Sequence, residues 1–181
     1  MRATIGLAAC LCVLLLAGGA TAATIPLKGT QTVVDESKGS YEVQGSLLGT
    51  WQATAFTRHY ATSERFVGSG KERFTGCLDL DRNRACDAGE PSGSLRFSFI
   101  YWASFNPTTK ALLRGACVHP VVGGTGDFAK STGVIHMTDL PVGKTVRTTY
   151  TGELTVPGAI ATSSVASSQR TLQSRSIATC G

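Results

Sequence analysis

Apolar and polar residues alternate with a period of two over most of the chain beyond residue 40. The clearest run covers residues 94–105, where Leu95, Phe97, Phe99 and Tyr101 alternate with Arg96, Ser98 and Ile100. Successive side chains of a strand point to opposite faces, so this pattern predicts a strand with one buried face. Similar runs predict strands over 41–47, 50–60, 65–78, 111–122, 133–139 and 144–156. In the second of these, Trp51, Ala53 and Ala55 share one face and Gln52 and Thr54 the other; Gly68 and Gly70 interrupt the third. No stretch after residue 23 repeats apolar residues at helical spacing over three turns. Seven or eight strands at short spacing predict an all-β domain. An antiparallel eight-stranded barrel is the first expectation and a β-sandwich the alternative. Closure into a barrel would leave no exposed sheet edge.

The two ends of the chain read differently. Arg2 precedes an apolar run over 4–17, centred on Val13, Leu14, Leu15 and Leu16, and Ala20-Thr21-Ala22 follows. That is the layout of a secretory signal peptide, so residues 1–22 are expected to be removed and the protein to work outside the cytoplasm. The run is shorter than the roughly 20 residues that span a bilayer, and no later segment is longer, so no membrane span is expected. Residues 23–40 read as an extended lead-in and 41–156 as the β domain. Residues 157–181 read as a Ser/Thr-rich tail or weakly ordered last strand. Losing Arg2 takes one unit off the formal net charge of +5. The remaining basic residues are scattered, which predicts a solvated surface and no nucleic-acid partner.

Cys10 and Cys12 leave with the signal, and Cys77, Cys86, Cys117 and Cys180 remain. An even count in an exported chain reads as two disulfides in one of three connectivities. Cys77–Cys86 would close a short turn, which leaves Cys117 for Cys180. Inside that turn, residues 79–90 place oxygen-bearing side chains at positions 1, 3, 5, 9 and 12, as Asp79, Asp81, Asn83, Asp87 and Glu90. This is the ligand spacing of an EF-hand calcium loop, with the Ala85 carbonyl at position 7. Arg84 stands where that loop has its glycine, and Arg82 and Arg84 dilute the negative charge. A structural calcium ion and a solvated acidic hairpin are therefore both open, with the missing glycine favouring the hairpin. No other cofactor is implied. His59, His119 and His136 are far apart in sequence, and Cys117-x-His119 lacks the second ligand pair of a zinc site.

The segment 121–135 is rich in glycine: Gly123, Gly124, Gly126 and Gly133 surround Asp127 and Phe128. A phosphate-binding loop needs Lys-Ser/Thr after its second glycine, or a strand, this turn and then a full helix; neither context is present. The glycines read instead as a turn with close backbone approach, from which Phe128 drops into the core. The run Gly123-Gly124-Thr125-Gly126-Asp127-Phe128-Ala129, then Gly133-Val134-Ile135 and Asp139, resembles the motif of the allene oxide cyclase barrel-like superfamily, which includes the dirigent proteins. The strand layout over about 39–156 agrees with it. The resemblance implies an eight-stranded antiparallel barrel with an apolar lumen, often a dimer or trimer, in which characterised members guide cyclisation or radical coupling of apolar substrates without a cofactor. The cyclases use a buried carboxylate. Asp127 is the acidic residue of the Gly-rich run and the candidate for that role, with turn capping as its alternative.

Phe97, Phe99, Tyr101 and Trp102 are the candidate ligand-lining residues, against the plainer reading that such a stripe is core. Two functions follow as expectations. One is an exported barrel that binds a small apolar molecule, with a cofactor-independent cyclase- or isomerase-like activity as its extension. The other is a non-catalytic exported protein making structural or cell-envelope contacts.

Overall fold

The computed structural model describes residues 22–143 and 145–158. Eight strands succeed one another: β1 (Ala22–Asp35), β2 (Ser40–Gly45), β3 (Leu47–Ala61), β4 (Arg65–Leu78), β5 (Ser92–Phe105), β6 (Leu112–Gly126), β7 (Thr132–Val142) and β8 (Thr145–Pro157). Each pairs antiparallel with its sequence neighbours, and β1 closes the barrel against β8. The expected eight-stranded antiparallel barrel is the observed architecture, and the sandwich alternative falls away. No helix among the described residues is long and apolar enough to cross a membrane.

The segment 23–40, expected as a lead-in outside the barrel, is a wall strand followed by a single 3-10 turn, Glu36–Lys38. β1 pairs with β8 from Ala22↔Pro157 to Gln31↔Thr148 and buries Ala23 and Leu27. Pro26, Gly29 and a run of threonines hide its alternation in the sequence, because its inward positions include a glycine and Gln31. Apart from Ala22, the expected signal peptide lies outside the described residues. So do the tail beyond Gly158 and Cys180.

The barrel has two unlike poles. At the first, the chain enters and leaves beside the β2–β3, β4–β5 and β6–β7 connections. Here Leu27, Leu47, Phe74, Leu78, Leu95 and Leu154 fill the lumen. Phe128, fully buried, drops in from the β6–β7 turn with its ring 6.3 Å from that of Phe74. Gly126 makes that turn possible: its φ is +63°, and a Cβ there would crowd the Ser92 carbonyl at 2.6 Å. Each such side chain contributes roughly 1.5–3 kcal/mol by leaving water. Tyr150 locks this plug. Its buried hydroxyl accepts from the Leu47 N–H at 2.9 Å and lies 3.2 Å from the Gln44 carbonyl. Burial pushes the phenol up to about 12. The second pole carries the β1–β2, β3–β4, β5–β6 and β7–β8 connections, and there the lumen is not filled.

Candidate functional site in the open half of the barrel

A cavity of about 290 Å³ occupies the lumen at the second pole. Its floor is the top of the apolar plug. Trp51 from β3 is fully buried and stacks on Phe97 from β5, with centroids 4.4 Å apart and an interplanar angle of 14°. Above them the inward positions of β4 bring Glu72, and those of β6 bring His119 and Cys117. Phe56, Phe66 and Phe99 form an aromatic wall, with Phe56 stacked on both of the others at about 6 Å.

Glu72 is the centre of the polar wall. Its Oε2 accepts from Trp51 Nε1 at 2.6 Å and lies 2.9 Å from His119 Nε2. The His119 side chain is 1% exposed and sits edge-on to Trp51 at 5.5 Å. Its Nδ1 is buried with no hydrogen-bond partner. The ring nitrogen Nε2 donates its N–H to Glu72. This pair can hold and pass a proton, and Glu72 lines the cavity.

A second polar group lies higher. Asp139 on β7 accepts from Thr148 Oγ1 at 2.6 Å and shares the space beside Gly115 with the Tyr101 hydroxyl. Gly115 opposite makes room, since a Cβ there would fall 2.6 Å from the Tyr101 hydroxyl and 2.8 Å from Asp139 Oδ2. Burial first, and then the Asp139 charge, pushes the Tyr101 phenol well above its ordinary value. Burial followed by Glu72 and Asp139 raises Tyr41 in the same way. Cys117, between the two carboxylates in register with Tyr101 and Met137, is raised by the same three causes and is a poor thiolate former.

The candidate ligand-lining residues divide by strand parity. Phe99 and Tyr101 line the cavity, and Phe97 lies beneath it as floor. Trp102 points outward, 43% exposed, with the Arg114 guanidinium 5.9 Å over its ring. It neighbours Tyr101 in sequence and so must face the opposite side of the wall. Asp127 lies in the β6–β7 turn at the plugged pole. It accepts from the Ser92 N–H at 2.9 Å and tacks the turn to β5, away from the cavity. Neither the Glu72–His119 pair nor Asp139 was singled out as a site from the sequence. The signal was present in β4, where Glu72 shares inward parity with Phe66 and Phe74.

The acidic loop lies at the plugged pole, between β4 and β5. Cys77 and Cys86 are disulfide-bonded, with Cα atoms 5.7 Å apart. Among the described residues Cys117 has no disulfide partner; its expected partner Cys180 is outside the described residues. Carboxylate oxygens of Asp79, Asp81 and Glu90 converge within 4.8 Å of one another. Asn83 Nδ2 donates to Asp81 and Asp87, and Glu90 accepts from the N–H groups of Leu80 and Asp87. Arg84, at the position where an EF-hand loop has glycine, takes φ +68°, the left-handed conformation the glycine would supply. The missing glycine therefore does not prevent the sharp turn.

Comparison with known protein families and with curated proteins finds no match to this chain.

Proposed function

We propose that this protein is an exported barrel that binds a small, largely apolar molecule in the open half of its lumen. The observation that carries this reading is the cavity itself. It is a hollow of ligand size with an aromatic wall and a few convergent polar groups, set on a rigid packed floor. The Glu72–His119 pair adds the capacity for cofactor-independent proton transfer on a bound molecule, which fits a cyclase- or isomerase-like reaction. Kinship with the allene oxide cyclase barrel-like superfamily is part of the proposal. The closed eight-stranded barrel and the Gly-rich β6–β7 turn support it. The dimers or trimers implied by that kinship have an outward stripe to use, where Ile100 and Val118 pair across β5 and β6. Export is supported by the Cys77–Cys86 disulfide, which needs an oxidising compartment to persist.

Titration of the mature protein with the neutral fluorescent probe N-phenyl-1-naphthylamine tests the binding reading. Saturable one-to-one binding is expected, and the absence of saturable binding overturns it.

We propose further that the loop over 79–90 holds a structural calcium ion. The convergence of three carboxylates and the left-handed Arg84 support this. A ligand of the folded state must raise stability. Calcium is therefore expected to raise the melting temperature relative to chelator, and equal melting temperatures overturn it.

A further inference from the structure

The cavity has an unusual charge balance. Glu72 and Asp139 both line it, and among the described residues no lysine or arginine does. Every lysine and arginine whose side chain is described is exposed, and the one in register with the inward face, Arg58 opposite Gly68, stands at the open rim outside the cavity lining. The hydrogen-bond partners of the two carboxylates include no lysine or arginine: they are the Trp51 indole and the His119 ring for Glu72, and the Thr148 hydroxyl for Asp139. In a chain of formal net charge +5, the described lining of this cavity thus carries two carboxylates and neither lysine nor arginine. A carboxylate withdrawn from water is costly unless it is paired, and a cationic ligand would supply such a pairing.

A further feature specifies what kind of cation fits. Phe56, Phe66, Phe99, Tyr41 and Tyr101 gather five aromatic rings around the same hollow. Aromatic faces attract organic cations, more strongly as water is excluded. A hydrated metal ion would use the carboxylates but waste the aromatic wall. A neutral molecule would use the wall but leave the two carboxylates unanswered.

We propose that the luminal ligand is an organic cation, an alkyl- or arylammonium ion whose charged nitrogen lies towards Glu72 and Asp139 and whose apolar body packs on the phenylalanine wall. The inference rests on the luminal-binding reading and narrows it to one chemical class. Rejection of anions follows from the same two charges.

Calorimetric titration of the mature protein at pH 7 with 2-phenylethylammonium, its uncharged isostere propylbenzene, and 3-phenylpropanoate tests it. The ammonium ion is expected to bind at least about tenfold more tightly than propylbenzene, a difference of about 1.4 kcal/mol, and the carboxylate more weakly than either. Glu72→Gln and Asp139→Asn keep shape and hydrogen-bonding capacity, and each is expected to bring the ammonium towards the affinity of propylbenzene. Thermal melts check that both variants are folded, and either folded variant suffices for the comparison. Propylbenzene binding as tightly as the ammonium, or ammonium binding unchanged in a folded variant, overturns the cation inference while luminal binding stands. Failure of all three compounds and of the neutral naphthylamine probe to bind overturns both.

Discussion

The two halves of the barrel are built from the same eight strands with the same alternation, yet one is solid and the other hollow. In the plugged half the inward positions carry Leu47, Phe74, Leu78, Leu95 and Leu154, and Phe128 is inserted from a turn to close the end. In the open half the corresponding positions carry Gly68, Gly70, Gly115, Ala53 and polar side chains, and the end is left uncapped. Side-chain volume at inward positions therefore decides where the lumen is structural and where it can take a ligand. The packed half supplies the stability, which lets the other half keep partly buried carboxylates and an unpartnered imidazole nitrogen.

That contrast is broken most strongly by removing the plug. Phe128→Ala is expected to cost about 3–5 kcal/mol in denaturant unfolding, because a fully buried ring leaves a cavity behind. Phe66→Ala, at the half-exposed rim of the open half, is expected to cost less than half as much and to weaken probe binding instead. Equal costs would mean that both halves are core.

Reducing Cys77–Cys86 comes next. The bond closes a loop of sequence separation 9, and its loss is expected to cost about 2–3 kcal/mol. Unfolding with and without reductant measures it, and probe affinity at the far pole should hardly change.

Tyr150→Phe leaves the Leu47 N–H without its acceptor and is expected to cost about 1–3 kcal/mol at neutral pH. The phenol also gives a pH signature. Its folded value is raised to about 12, against about 10 in the unfolded chain. Its contribution is therefore complete below pH 10 and is lost as pH rises from 10 towards 12. The Phe variant should lack that part of the alkaline decline, as stability measured across the window will show. The smallest effect concerns Cys117. In a Cys180→Ser variant, the raised Cys117 thiol predicts alkylation by iodoacetamide at neutral pH more than about tenfold slower than for an unfolded control, with bound probe slowing it further.

Much of the fold was legible because alternation is a local signal. The run over 65–78 coincides with β4, and 94–105 differs from β5 only at its start. β1 was not legible as a wall strand, because its inward positions mix Leu27 with Gly29 and Gln31. The site was less legible for a related reason. Aromatic residues drew attention to β5, where Phe99 and Tyr101 do line the cavity. Trp102 shares their chemistry, but its parity sends it outward. Glu72, His119 and Asp139 lie on three different strands, and only closure of the barrel brings them to one hollow. Asp127 stood out by its motif, but that motif builds a turn at the other pole.

Chemical-shift mapping of the mature protein on adding the neutral naphthylamine probe tests the central division most directly. The account predicts perturbations gathered at Phe99, Tyr101, Cys117 and Met137, with Leu47, Leu78, Phe128 and Leu154 unmoved. Perturbations centred on those plug residues, or on the outer face around Trp102, would contradict it.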